Sequence, residues 1–445
     1  MHRAGRAFGT MGIGAVAWVA VASPSARAEV TELAAANVVE GVTNNALAAP
    51  DGPAVAADEF TSVRAGVAAR YQGPRQDQTL AYTYVATFFG DHSEGDTQEH
   101  LGTWQLNAAP TGRTTIVALA SGAYGRMNSV NPIAAAAGIS SQTITSGQVG
   151  FSAVPTGPVT YASASANATA SFRPTATRLW QETSAFSDFI PIDGTIAHSL
   201  GASEDFRHER QSARDTLTAD LLFGYLDASS YTIQPAGSTV PPPAAVVVPR
   251  QETVTAELLL GWRRDLTPTI TGSVEAGVLA IDSLVLDRDL IGPAARLTGR
   301  YQAGPASPGY AELVIAHMPE LNVYVGQTVL SDSATLRALL PLDRREQLRL
   351  VALGTAEHDS VLTSGGLDTA VNLLGADVGL VYQSLQHPFM ASLDYLIQDQ
   401  AGQVAGGVTF LSLHRQAVML TVTATWGTYT PWRQTGTATG TATVD

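Results

Sequence analysis

The chain has 445 residues, of which 45% are hydrophobic and only 14% are charged, and its formal net charge is −14. All 25 basic residues are Arg, and the acidic balance excludes the basic surface that nucleic-acid binding or a polybasic membrane contact needs. The chain has no Cys, which excludes disulfide bonds, thiol catalysis and Cys-ligated metals. The charged fraction is well below the roughly one quarter that is usual in soluble domains.

The N-terminus has the pattern of a secretory signal peptide. Arg3 and Arg6 precede an uncharged apolar stretch at residues 8–22, and Ala26 and Ala28 place small residues at the two positions of a cleavage site. This stretch is shorter than the ~20 residues of a membrane-spanning helix, which favours cleavage over a retained anchor. We therefore expect residues 1–28 to be removed and the remaining chain to be exported.

Long segments that alternate apolar and polar residues fill most of the remaining sequence. In residues 59–71, for example, Val63 and Val67 share one face, and Arg64 and Arg70 share the other. Successive side chains of a strand point to opposite faces, so each segment predicts a strand with one apolar and one polar face. The segments are about twice the usual strand length and long enough to cross a hydrocarbon layer when tilted. An open sheet edge would leave backbone groups unpaired in lipid, so the sheet must close on itself. The prediction is therefore an all-β, closed antiparallel transmembrane β-barrel with a polar lumen.

The pattern predicts eighteen barrel strands, an even number that brings both chain ends to the periplasmic side. They lie at residues 35–47, 59–71, 79–90, 99–108, 113–125, 158–173, 178–190, 195–208, 214–227, 251–264, 268–281, 293–303, 310–318, 321–338, 346–357, 371–384, 388–398 and 408–427.

The connections are predicted to alternate between short periplasmic turns and long outer loops. Pro, Gly and Asp in the short connections are typical of turns. The longest predicted loops are residues 126–157 and 229–251, and residues 283–293 and 359–369 are predicted to be long as well.

Three parts therefore make up the predicted chain. Residues 1–28 are the signal peptide and residues 29–432 the transmembrane β-barrel. The last part, residues 433–445, has low complexity and is predicted to be a disordered tail.

An exported, Cys-free chain of long alternating strands that closes with FLSLHRQAVMLTVTATW (410–426) resembles Gram-negative outer-membrane β-barrel proteins. More narrowly, GVTNNALAAPDGP (41–53), NVYVGQTVLSDSATLRALLPLDRREQLRL (322–350) and HRQAVMLTVTATW (414–426) are similar to the approximately 18-stranded barrels of myxobacteria-like bacteria, some of which are linked to polysaccharide export. The resemblance implies outer-membrane lipid as the environment and an outer-membrane insertion machinery for assembly. For an exporter, it also implies periplasmic polysaccharide-export components as partners.

Ionisable residues on the polar strand faces are the candidate functional residues. A charge facing lipid near the midplane costs ~2–4 kcal/mol, which favours an inward orientation. These groups could line a pore whose Arg residues bind anionic solutes or acidic sugars bidentately, or they could pair with one another in a wet interior. The predicted pore-lining residues are Arg64, Arg70, Arg214, Asp220, Glu257, Arg263, Glu275, Arg296, Arg300, Arg349, Asp394 and Arg415.

No catalytic or metal-binding pattern stands out in the sequence. Its nine His are scattered without an H-E-x-x-H motif, and no phosphate-binding loop or nucleophile turn is recognisable. We therefore expect neither an enzyme nor a cofactor. The function predicted is a water-filled conduit for passive passage of solutes or a secreted polysaccharide. The alternative is a surface receptor, adhesin or structural barrel that acts through its outer loops.

Overall fold

The computed structural model describes residues 29–47, 55–127, 159–192, 197–233, 246–248, 250–304, 309–322, 327–363, 366–384, 387–402, 404–405, 408–409 and 412–427. The predicted signal peptide, the predicted tail and most of the predicted loop 126–157 lie outside these residues. The described part is almost entirely β-strand, with a short 3₁₀ turn at Ser93–Gly95. No helix in it has the length and apolar character to cross a membrane.

Twenty-two strands follow one another along the described chain. They are β1 (Glu29–Thr43), β2 (Asp58–Gln72), β3 (Gln76–Phe89), β4 (Thr97–Thr111), β5 (Thr114–Met127), β6 (Val159–Thr175), β7 (Arg178–Pro191), β8 (Ser199–Gln211), β9 (Asp215–Ala228), β10 (Tyr231–Ile233), β11 (Val246–Val248), β12 (Gln251–Thr267), β13 (Ile270–Ser283), β14 (Arg288–Gln302), β15 (Tyr310–Asn322), β16 (Gln327–Pro341), β17 (Leu348–Thr363), β18 (Gly366–Gln383), β19 (Phe389–Gly402), β20 (Val404–Ala405), β21 (Val408–Thr409) and β22 (Leu413–Gly427).

Eighteen of these strands form one closed antiparallel sheet. Each pairs with its neighbours along the chain, and β1 closes the sheet by pairing with both β2 and β22. The two remaining pairs, β10–β11 and β20–β21, are separate small hairpins in the connections before β12 and β22. This confirms the predicted fold, an eighteen-stranded antiparallel barrel, and each of the eighteen predicted strands has a counterpart in it.

The strands are long because their alternation continues over many residues. They range from 13 residues in β8 to 18 residues in β18. The β1–β2 ladder runs without interruption from the Glu29–Gln72 pair to the Thr43–Asp58 pair. An unbroken register keeps every side chain on its own face of the sheet, since a slip of one residue would exchange the faces.

The barrel has two distinct ends. One, the turn end, carries connections such as residues 73–75, 112–113 and 176–177. The other, the loop end, carries the connections at residues 44–57 and 128–158, among others.

Two of the predicted long loops at the loop end are wrong. β13 ends at Ser283 and β14 begins at Arg288, while β17 ends at Thr363 and β18 begins at Gly366. The first prediction treated Pro293 as the limit of the loop, whereas the structure places this residue inside β14, where it pairs with Val278 of β13.

The β14–β15 ladder is shorter than the others in the barrel wall. Its pairs run from Gln302–Tyr310 to Ala295–His317 and stop there. Towards the loop end, residues 288–294 pair with β13 alone, and residues 318–322 pair with β16 alone. The described wall is therefore open between these two segments, and we call this opening the seam.

Beyond the seam, the loop-end part of the β15–β16 hairpin bends into the barrel. It contacts β9, although β12, β13 and β14 lie between them in the sheet. A Cβ on Gly224 of β9 would lie 3.2 Å from Leu321 Cδ1. Leu330 of β16 packs in a buried apolar cluster with Leu259, Leu279 and Ile281 of the inner wall. The described parts of this inward hairpin, residues 318–322 and 327–330, thus narrow the interior near the loop end.

Candidate functional site

The two faces of the barrel wall differ in chemistry, as neighbouring residues in β12 illustrate. Leu260 is 64% exposed on the outer face, whereas Leu259 is 3% exposed on the inner face. Large apolar side chains such as Val67 and Ile291 are exposed on the outside. The inner face carries buried polar residues, among them Thr255, Gln398 and Thr423. The interior surface is therefore where a functional site for polar molecules can form.

Most of the predicted pore-lining residues lie on strands and share a face with other inner-wall residues. Arg70, Asp220, Glu257, Glu275, Asp394 and Arg415 are buried there, and Arg64, Arg263, Arg296, Arg300 and Arg349 are intermediate in exposure.

Arg214 departs from this arrangement. The predicted strand 214–227 included it, but β9 begins at Asp215, and Arg214 lies exposed in the turn that connects β8 to β9. Its carbonyl oxygen accepts a hydrogen bond of 3.0 Å from the Asp265 amide, as expected at the end of a ladder. The strand begins one residue later than the alternation of apolar and polar residues suggested. The prediction that Arg214 lies within a barrel strand is therefore wrong, and the residue lies at the turn end of the barrel instead.

Seven charged residues of the inner wall come together on β8, β9, β12, β13 and β14, and we call them the lumenal charge cluster. They are Asp205, Arg207, Glu209, Asp220, Glu257, Glu275 and Arg296.

Arg207 is the central cation of this cluster. Its Nε lies 2.9 Å from Glu209 Oε1, and its Nη1 lies 2.9 Å from Asp220 Oδ2. Its Nη2 reaches Glu275 Oε1 at 3.4 Å. One guanidinium thus holds three carboxylates from three strands, which uses the forked geometry of its donors.

Glu275 links the two Arg residues of the cluster. While its Oε1 faces Arg207, its Oε2 accepts a hydrogen bond of 3.0 Å from Arg296 Nη1. The other terminal nitrogen of Arg296 lies 3.1 Å from the sulfur of Met318 on the inward hairpin. The charge cluster and the inward hairpin are therefore in direct contact.

Gly261 allows Glu275 to reach across the wall. It lies on β12 beside Thr218 of β9 and Glu275 of β13 in the two adjoining ladders. A Cβ at this position would lie 2.1 Å from Thr218 Oγ1 and 2.7 Å from Glu275 Cγ. Any side chain here would displace the carboxylate that joins Arg207 to Arg296.

Glu257 differs from the other carboxylates of the cluster. It is 2% exposed, and neither of its carboxylate oxygens has a hydrogen-bond partner among the described residues. It lines a cavity together with Asp205, Arg207, Asp220, Leu222, Leu259, Arg296 and Met318.

Other predicted residues of the inner wall form smaller pairs. Arg70 makes a bidentate ion pair with Asp77, in which its Nε lies 2.8 Å from Asp77 Oδ1. Arg300 Nη1 lies 3.9 Å from Glu312 Oε2. These pairs fit the alternative that lumenal charges satisfy one another across strands.

Sequence reasoning missed Asp205, Arg207 and Glu209, three members of the cluster on β8. This strand has charged and polar residues on both faces, so its apolar face gives no clear alternation. On the outer face, Glu204 accepts a hydrogen bond of 3.0 Å from Ser184 Oγ. The available signal was the alternate spacing of Asp205, Arg207 and Glu209, which places all three on one face of β8.

Metal ligation finds no support in the described residues. No group of three or more His, Asp or Glu side chains there is placed to hold a metal ion. His317 Nδ1 lies 2.6 Å from Asp332 Oδ1, and this pair joins β15 to β16.

Comparison with known proteins finds no matching family model and no matching curated protein. Among solved structures, OccAB2 of Acinetobacter baumannii is similar with a TM-score of 0.42 and 10% identity, over 90% of this chain and 98% of that one. OccK2 (OpdF) of Pseudomonas aeruginosa, in complex with glucuronate, has a TM-score of 0.43 and 9% identity, over 90% of this chain and 99% of that one. The copper transporter OprC has a TM-score of 0.42 and 7% identity, over 91% of this chain and 82% of that one. At such scores and identities, we infer nothing about the solute of this chain from theirs.

Proposed function

We propose that this chain is an outer-membrane β-barrel whose lumen is a passage for small hydrophilic solutes. The observation that carries the proposal is the division of the wall into an outer face with exposed large apolar side chains and an inner face with buried charges. Transfer of exposed apolar surface into lipid is favourable, and a closed sheet leaves no unpaired edge in the hydrocarbon layer.

The length of the strands supports the same proposal. The shortest barrel strands have 13 residues, and a tilted strand needs ~9–11 residues to cross the hydrocarbon layer. A barrel of about this strand number encloses an aqueous channel unless something fills it. The predicted pore-lining residues, Arg214 excepted, would then set the charge preference of this channel.

The inward hairpin supports a narrow passage rather than a wide one. Its contacts with β9 and its packing on Leu259, Leu279 and Ile281 place protein inside the barrel near the loop end. Small solutes can pass beside such a constriction more easily than a polymer can. Export of a polysaccharide is a more specific hypothesis than solute passage, and it rests on the sequence resemblance. It would require the inward hairpin to move.

The test is conductance in planar lipid bilayers with the full-length protein, after extraction from outer-membrane fractions. We expect discrete steps of small conductance. The variant Leu330→Asp places a charge in the apolar cluster that holds the inward hairpin, so it should give larger steps. A barrel that inserts stably but conducts no ions, in wild type and in Leu330→Asp, would refute the conduit.

Size selectivity separates solute passage from polysaccharide export. Liposomes with the wild-type protein should admit mono- and disaccharides and retain longer oligosaccharides. Entry of oligosaccharides into wild-type liposomes at rates like those of monosaccharides would favour the exporter.

A receptor or adhesin is favoured instead if removal of residues 128–158 or 234–245 abolishes surface binding while conductance is unchanged.

A further inference from the structure

The lumenal charge cluster has more carboxylates than cations. Its acidic members are Asp205, Glu209, Asp220, Glu257 and Glu275, and its basic members are Arg207 and Arg296. Both guanidinium groups are already engaged, because they donate to Glu209, Asp220 and Glu275 and contact Met318. The described protein therefore leaves negative charge in the cluster uncompensated.

This excess is concentrated at Glu257. Its side chain is almost fully buried, and both of its carboxylate oxygens lack a hydrogen-bond partner in the described part of the barrel. Oδ1 of Asp205 and Oδ1 of Asp220 are also buried there without a partner. Arg296 is the strongest electrostatic partner of Glu257, and the carboxylates of Asp205, Asp220 and Glu275 also lie close enough to interact with it. Burial of an ionised carboxylate is costly unless a charge or donor compensates for it.

The residues that carry the unpartnered oxygens line one cavity. This lining consists of three carboxylates, two guanidinium groups and three apolar side chains: Asp205, Asp220, Glu257, Arg207, Arg296, Leu222, Leu259 and Met318. The cavity has a volume of about 40 Å³. Such a lining combines acceptors for several N–H donors with a surface for a short hydrocarbon group.

We infer that this cavity is a binding site for a small organic cation that bears a guanidinium or primary ammonium group. Its donors would bind Glu257 and the free oxygens of Asp205 and Asp220, and its carbon atoms would pack on Leu222 and Leu259. A directly ligated metal ion fits less well, because the described residues hold no group of three ligands in suitable positions. The inference rests on the proposed function only in that the ligand enters through the lumen.

The experiment is isothermal titration calorimetry of the folded full-length barrel in detergent micelles, with methylguanidinium as the probe. Tetramethylammonium is the comparison ion, because it carries the same charge without N–H donors. We expect saturable binding of methylguanidinium, and binding at least ~10-fold weaker for tetramethylammonium. Glu257→Gln removes the central charge at nearly constant volume and should weaken methylguanidinium binding at least ~10-fold.

Glu312→Gln is the matched control, because it removes a carboxylate from the inner wall of β15 that does not line the cavity. It should bind methylguanidinium as the wild type does. If Glu257→Gln does not fold, as judged by circular dichroism, Asp205→Asn takes its place with the same expected loss of affinity.

Three results would overturn the inference. They are the absence of saturable methylguanidinium binding to the wild type, equal binding of tetramethylammonium, and unchanged affinity in the folded cavity variant. Because the titration needs no membrane, it is independent of the conductance test. A barrel that binds methylguanidinium but never conducts would refute the conduit and leave the cation site standing.

Discussion

Pro293 of β14 and Pro319 of β15 would face each other if the β14–β15 register continued past its last pair, Ala295–His317. Proline has no backbone N–H and cannot donate a hydrogen bond to a ladder, so it belongs at strand edges. The ladder ends one residue pair before these two prolines, and both prolines lie within the seam. The inward hairpin, which starts at Met318, then packs its apolar side chains on the inner wall.

The seam leads to a prediction for backbone amide exchange. Amides in residues 288–294 and 318–322 each have one neighbouring strand instead of two, so peptides from these segments should exchange faster than peptides from the turn-end halves of β14 and β15. Hydrogen–deuterium exchange with mass spectrometry on the folded barrel measures this difference. Equal protection of both halves would show that the ladder continues through the prolines.

Leu260 provides a prediction for the outer face. Its replacement with Arg places a charge on an exposed apolar position and should lower the free energy of unfolding in lipid vesicles by about 2–4 kcal/mol. Urea titration followed by tryptophan fluorescence measures the change. The control is Asn167→Arg on the inner wall of β6, which should change stability by less than about 1 kcal/mol. The assignment of the faces fails if the control is the more damaging variant.

Gly261 provides a prediction for packing in the charge cluster. Gly261→Ala brings a Cβ within 2.1 Å of Thr218 Oγ1 and should lower the free energy of unfolding by about 1–3 kcal/mol. Gly299→Ala on β14 is the matched control, because nothing lies within 4 Å of a Cβ there. That variant should be neutral or slightly stabilising, since glycine weakens strands. Equal losses in both variants would mean that the close contact at Gly261 does not limit packing.

Arg207 provides a prediction for ion selectivity. Arg207→Ala removes a positive charge from a wall segment with excess carboxylates, and should shift the reversal potential in a KCl gradient towards that of K⁺. Arg214→Ala is the control, because Arg214 lies exposed in a turn rather than in the cluster. It should shift the reversal potential much less. A larger shift from Arg214→Ala would place the selectivity of the channel at its turn-end mouth.

The barrel could be predicted because alternation is a local property. In β2 and β12, each residue's face follows from that of its neighbour, so long stretches with period two determine strand, length and orientation together. The predictions were weakest where this signal was interrupted. The predicted loop 283–293 ends at Pro293, yet this proline lies inside β14, where it pairs with β13 and borders the seam.

The candidate site could be predicted only in part. The sequence predicted four members of the cluster, because each lies on the opposite strand face from the apolar residues next to it. They are Asp220, Glu257, Glu275 and Arg296. Arg207, the centre of the cluster, was missed because the outer face of β8 is itself partly polar.

The sequence by itself therefore determined the class of fold, the number of strands and the inner or outer face of most side chains, since these depend on neighbours along one strand. Tertiary structure decided which charges meet, because the bonds of Arg207 to Asp220 and Glu275 join strands through the register of several ladders. It also decided that the carboxylate of Glu257 is buried without a hydrogen-bond partner among the described residues, and that the β15–β16 hairpin turns inward. These features depend on packing between segments that are distant in the chain, and no period in the sequence encodes them.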